Sequence, residues 1–106
     1  MSWILVIVAG LFEIAWAIGL KQSHGFTRPA VSVLTIALMI VSFVLLSLGM
    51  KSLPAGTAYA VWTGIGAIGT ALLGIIYLGE PANAGRVGAL LLIAIGIIGL
   101  RLASAE

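Results

Sequence analysis

The chain has 106 residues, 62% of them hydrophobic and 8% charged, with a mean hydropathy of +1.30. Soluble domains carry roughly 25% charged residues because their surfaces face water, so five Lys/Arg and three Glu cannot clothe a water-soluble globule of this size. The absence of cysteine excludes disulfides and thiolate metal sites. One histidine and no aspartate exclude a metal cluster or a Ser-His-Asp triad within one copy, and the scattered cations behind the net charge of +2 make no nucleic-acid footprint.

Charges, prolines and polar clusters divide the chain into four apolar runs, predicted as one domain of four transmembrane helices over residues 2–20, 30–50, 58–78 and 86–103. At ~1.5 Å rise per residue each run crosses a ~30 Å hydrocarbon core. The first is apolar except for Glu13. A signal peptide is its competitor, but the run lacks a basic leading segment and holds a glutamate, so a membrane helix is expected. KQSHGFTRP at 21–29 is the first turn, and only Ser32, Thr35, Ser42 and Ser47 interrupt the second run. KSLPAGT at 51–57 is a turn signal with Pro54 and Gly56. The third run carries Gly64, Gly66, Gly69 and Gly74, and the fourth Gly88, Gly96 and Gly99, small residues that let helices approach closely. Residues 64–69 formally match a dinucleotide-binding glycine pattern, but they lie in an apolar helix with no preceding strand, which removes that reading. GEPANAG at 79–85 separates the last two runs; the fourth has no polar functional group before Arg101 and is expected to be structural, with a part in dimer contact.

Glu13 is the one charge placed inside the membrane, about ten residues from either end of its run. A carboxyl at mid-bilayer costs about 2.5–3.5 kcal/mol on insertion scales, so it marks a functional site by default. Trp16 follows three residues later on the same helix face, with Gly10 one turn before. Tyr59 and Trp62 repeat the spacing in the third helix, Gly66 continues that stripe, and Ser42 lies near mid-membrane in the second. A buried acid with two tryptophans, a tyrosine and a serine reads as a cation pocket, although Tyr59 alone fits an interfacial belt and Ser42 alone fits a bond to its own backbone. Gly10, Gly64 and Gly66 are candidates for close packing or a bend. Trp3, Phe26 and Tyr77 are expected as interfacial anchors, Phe12 and Phe43 as lipid-facing or packing residues, and His24 as a solvated loop residue. Lys21 and the arginines are expected at helix ends, and Glu80 and Glu106 are expected to carry no chemistry.

FEIAWAIGLK at 12–21, SHGFTRP at 23–29 and LPAGTAYAVWTGIG at 53–66 resemble the small multidrug resistance transporters, and the resemblance covers essentially the whole chain. Tryptophan three residues after the membrane glutamate is similar to the guanidinium-exporter branch; the polydrug branch has Gly-Thr in that neighbourhood. The resemblance implies an all-α antiparallel homodimer of eight helices that exchanges protons for guanidinium ion across a bacterial inner membrane, without metal or cofactor. It also implies that Glu13 binds either ligand while Trp16, Ser42, Tyr59 and Trp62 shape the pocket. Export of quaternary ammonium or lipophilic cationic drugs is the alternative within transport. A structural membrane subunit and a proton channel are the others, and an enzyme is not expected, since one intramembrane acid offers little catalytic machinery.

Four helices are too few to enclose a solvated path, whereas two copies supply eight. The first and third loops carry Lys21, Arg28 and Arg86, against Lys51 and Arg101 on the other side. That near balance is a weak orientation signal. It permits insertion in one orientation, but it points to dual topology with antiparallel pairing. Two or three lysines added at either end should then collapse activity in cells expressing one biased variant and restore it when oppositely biased variants are co-expressed. Full activity of a strongly biased variant alone would refute dual topology.

Overall fold

The computed structural model describes residues 1–103, so Glu106 lies outside the described residues. They form four helices and no strand: α1 (Ser2–Gln22), α2 (Pro29–Gly49), α3 (Ala55–Tyr77) and α4 (Ala84–Ala103). All four are long and apolar enough to cross a membrane. A helix satisfies its backbone hydrogen bonds within one segment, which hydrocarbon demands.

The helix ends follow local chemistry and shift several boundaries from the hydropathy reading. Pro29 opens α2 at its first helical position, with Arg28 held extended before it (φ −101°, ψ 106°), as the residue preceding a proline must be. Pro54 precedes α3, which begins at Ala55 rather than 58 because the turn residues Ala55, Gly56 and Thr57 are already helical. α1 runs on through Gln22 before Ser23 turns the chain: its hydroxyl donates to the Leu20 carbonyl (2.8 Å) and accepts the Phe26 amide (3.1 Å). His24, Gly25 and Phe26 then all take positive φ, a left-handed turn that is strained at the two non-glycine positions. Asn83 caps α4, its side-chain oxygen accepting the Arg86 amide at 2.9 Å.

α1 is the central helix, packed against both α2 and α3, while α4 packs on α3. Glycines set the approach. Val6 of α1 lies over Gly49 of α2, and Thr35 of α2 lies over Gly19 of α1. On the other side Ile65 covers Gly10, and Glu13 and Ile14 of α1 lie over Gly66 and Gly69 of α3. A Cβ at any of these positions would strike the facing side chain, the close approach that small residues permit. Val6, Ala9, Ala58 and Val61 form the most buried part of the core, joined by Leu46, Leu53, Trp3 and Trp62. The chain is a slab of 43 × 34 × 16 Å, and no described residue of α4 is buried.

Two residues differ from expectation. Trp3 is not an outlying anchor: it is nine-tenths buried (9% exposed) in the core, with the Arg101 guanidinium 5.2 Å from the centre of its ring. Phe26 and Tyr77, by contrast, are exposed. Glu80 also has a structural role. It pairs with Lys21 (3.1 Å) and Arg86 (3.5 Å), tying the end of α1 to the α3–α4 connection, and its carboxylate fills the space that Gly74 leaves. The Lys21 hydrogen bond, opposed by partial desolvation and aided by the charges of Lys21 and Arg86, holds the Glu80 carboxyl below the usual carboxylate range.

A carboxyl lowered on folding stabilises the fold above its unfolded pKa of about 4.3, and that contribution disappears as pH falls through the folded value. In detergent, Glu80→Gln should therefore lower the unfolding temperature at pH 7, with the gap to the parent closing below about pH 4. A gap of constant size across that range would contradict the ion-pair role.

Candidate functional site

Ser42 joins three helices at one point. Its hydroxyl, fully buried, donates to the Ala9 carbonyl of α1 at 2.7 Å and accepts the Trp62 indole N–H of α3 at 3.0 Å. A hydroxyl has one proton to give and lone pairs to receive, so this arrangement satisfies it and the tryptophan together. Ser42 therefore orients Trp62 and does not hold the Glu13 carboxylate. Ala9 lies one helical turn before Glu13, so the bond also fixes the part of α1 that carries the acid.

Glu13 projects from α1 over Gly66, where its carboxylate occupies the space a Cβ would need. Its Oε1 is buried without a hydrogen-bond partner among the described residues, and so is the Trp16 indole nitrogen one turn further along. An unsatisfied buried polar atom costs about 1–3 kcal/mol. Here an acceptor and a donor one helical turn apart on α1 are both left without a partner, whereas the Trp62 indole is satisfied by Ser42.

The aromatic rings form one cluster around this point. Trp16 and Trp62 lie 6.5 Å apart between ring centres, and Tyr59 lies 5.6 Å from Trp62. Phe43 stands edge-on to both tryptophans, at 6.0 Å from Trp16 and 5.8 Å from Trp62. As expected of a lipid-facing or packing residue, it is 45% exposed, and it packs edge-on against both tryptophans, joining them to the cluster. Its position directly after Ser42, on the neighbouring part of the helix surface, is the sequence signal that marks it. Tyr59 is the most open of the pocket rings at 56% exposed. Of the glycines singled out, only Gly66 touches the carboxylate; Gly10 meets Ile65, and Gly64 faces Ile93 and Ile97 of α4.

A carboxylate with an unpartnered oxygen, one helical turn from a tryptophan of an aromatic cluster, suits a cation that brings its own N–H donors. Carboxylates take planar N–H cations in a bidentate manner. Aromatic faces add about 0.5–2 kcal/mol for a desolvated cation.

Comparison with known proteins agrees with this chemistry. The family model for Small Multidrug Resistance proteins matches residues 1–93. A protein of Proteus vulgaris named "Guanidinium exporter" is 64% identical over 104 residues, covering 98% of this chain and 100% of its own length. Proteins with the same name from Escherichia coli K12 and Yersinia pestis are 60% and 62% identical, each over 98% of this chain.

The closeness of Gly66 to the acid gives a direct test of the geometry. Gly66→Ala sets a Cβ against the Glu13 carboxyl and its Cγ, so the side chain must move off Gly66 for the helices to keep their approach. Cation affinity, followed through quenching of Trp16 and Trp62 fluorescence, should fall about tenfold, or about 1.4 kcal/mol, with unchanged helical circular dichroism. Undiminished affinity would show that the carboxylate does not act from its place over Gly66.

Proposed function

The chain belongs to the small multidrug resistance family, and from that premise we propose that it exports guanidinium ion in exchange for protons, the two competing for Glu13. It is a multi-pass protein of the bacterial inner membrane. The observation that carries the reading is the unpartnered Glu13 carboxylate oxygen on the helix that carries Trp16, whose ring clusters with Trp62.

Guanidinium is planar and weakly hydrated, with N–H donors around its edge and a face that stacks on aromatics. Two edge donors meet the Glu13 carboxylate while the flat faces meet Trp16 and Trp62. Ser42 holds Trp62 at the angle this requires. Tyr59 and Phe43 close the aromatic wall. Quaternary ammonium ions bring no N–H donors and leave the carboxylate unsatisfied, so they are the poorer ligand for this arrangement. A purely structural subunit gives no reason for an open acid in the membrane.

Competition then supplies the coupling. A proton neutralises Glu13 and removes the attraction for the cation, and a bound cation excludes the proton. In the antiparallel homodimer of eight helices that we assign, the two protomers are the related repeats whose rocking gives alternating access. The slab shape of the single chain and the unburied α4 support pairing, and the near balance of Lys and Arg between the two sides supports opposite orientations. Gly64 and Gly66, where α3 turns one side to α4 and the other to α1, are the positions we assign to flexing.

Purified protein in liposomes with an imposed pH gradient should move guanidinium against its own gradient and tetraethylammonium far more slowly. Glu13→Gln should abolish both guanidinium movement and substrate-induced proton release. Proton-coupled uptake by Glu13→Gln would end the shared-site mechanism, and equal rates for the two cations would end the guanidinium assignment.

A further inference from the structure

The Thr70 hydroxyl of α3 differs from the buried hydroxyls of α2. There Ser32 and Thr35 donate to the carbonyls four residues back, Arg28 and Val31, at 2.6 and 2.8 Å, a common way for a helical serine or threonine to settle its polar atom. Ser42 donates across to Ala9 of α1. Thr70 does neither: its Oγ1 is buried and has no hydrogen-bond partner among the described residues. A buried hydroxyl left in that state is costly, most of all in hydrocarbon.

Its place on α3 relates it to the membrane carboxylate. Thr70 follows Gly66 by four residues, so the two share a helix face one turn apart, ~5.4 Å along the axis. The Glu13 carboxylate lies over Gly66. Helical side chains tilt towards the N-terminus of their helix, which leans Thr70 back towards the turn that seats the acid. Ile14 covers Gly69 on one flank, while the exposed Ala67 puts only a methyl group on the other. One turn beyond Glu13 on α1 stands Ala17, again only a methyl. Two unpartnered buried oxygens therefore belong to successive turns of one α3 face, Oε1 of Glu13 over Gly66 and Oγ1 of Thr70 on the next. One turn is longer than a single hydrogen bond of about 2.9 Å, so a ligand with donors on opposite sides is what joins them.

The step from here rests on the reading of Glu13 as the guanidinium site. Held in bidentate fashion, guanidinium gives two nitrogens to the carboxylate and turns the third away from it. We propose that the Thr70 hydroxyl accepts an N–H of that third nitrogen, which makes Thr70 a specificity-determining residue for the unsubstituted cation. A hydroxyl accepts while giving its own proton, so Thr70 can donate to the Gly66 carbonyl at the same time, as Thr35 does to Val31. A site built to pair each donor rejects an analogue that lacks one, because its own polar group then stays unpaired.

Acetamidinium provides the test. It keeps the two nitrogens that face a carboxylate and puts a methyl group where guanidinium has the third. Both cations are titrated into the full-length protein at one fixed pH and followed by tryptophan fluorescence. The parent should bind guanidinium about tenfold more tightly than acetamidinium, the worth of one hydrogen bond to a charged group. Thr70→Val keeps the shape and loses the hydroxyl; it should weaken guanidinium about tenfold and leave acetamidinium unchanged. Thr70→Ser should keep the preference, and Thr70→Ala supplies the same comparison where Thr70→Val does not fold. Equal weakening of both cations is the mark of a merely structural threonine and would overturn the assignment. So would equal affinities in the parent, or a preference that survives loss of the hydroxyl. Guanidinium binding that is absent from the parent, or that persists in Glu13→Gln, would instead sink the Glu13 reading and this inference with it.

Discussion

In hydrocarbon there is no water to accept a stray hydrogen bond, and each unmet polar group costs several kcal/mol. The hydrogen-bond chain from Trp62 through Ser42 to Ala9 answers that constraint, and the rest of the site depends on it. It uses one hydroxyl to settle a buried serine and a buried indole and pins α2 and α3 to α1. Together with the ring contacts of Trp62 to Trp16, Phe43 and Tyr59, it sets the orientation of the indole. Against this background the exceptions are informative. Glu13 and Trp16 stand one helical turn apart, each with a polar atom unmet, beside a network that satisfies its other members. Thr70 Oγ1 in α3 is also buried without a partner, but among the described residues only Glu13 offers an unmet acceptor of charged type in the membrane.

The same economy governs helix packing. Lipid tails are as apolar as leucine, so helices gain little from burying hydrocarbon and associate through close contact. α1 achieves contact on both flanks through a register of glycines, three of which receive side chains from α1 itself: Gly49 takes Val6, Gly66 takes Glu13 and Gly69 takes Ile14. Gly66 serves two purposes at once, since the space that lets α3 approach α1 is the space in which the carboxylate lies. Helix packing and the seat of the carboxylate are thus coupled at one position. Any motion of α3 against α1 must move the wall of the carboxylate's seat.

Polar groups at the two ends of the molecule are handled differently. At one end Glu80 gathers Lys21 and Arg86 into an ion-paired connection that ties α1 to the α3–α4 turn. At the other, Arg101 lies on Trp3 above a slot of isoleucine and valine. The first end is closed by ion pairs, and the second by a cation lying on an aromatic ring. α4 takes part in both, through Arg86 near its start and Arg101 near its finish, although none of its described residues is buried.

Much of this was legible in the residues alone. Four apolar runs between charged turns required four membrane helices, because no other open-ended structure satisfies its backbone in lipid. A lone glutamate amid one of them marks the candidate site, because an intramembrane acid is costly to keep. Trp16, Tyr59 and Trp62 followed from helical spacing. Helix rotation was not legible, since runs that are apolar on every side carry no stripe to say which way a residue points. That is why spacing alone does not say that Phe43 packs on both tryptophans or that Trp3, near a helix end, is buried in the core. It is also why the choice for Ser42, between its own backbone, the carboxylate and a tryptophan, was made only in three dimensions. Glu80 escaped notice because its partners lie 59 residues away and six residues away on different segments. The amino-acid sequence determined how many helices cross the membrane and which residue bears the charge within it. The tertiary structure decided which side chains face that charge, because in lipid close contact and paired hydrogen bonds orient a helix and hydrophobicity does not.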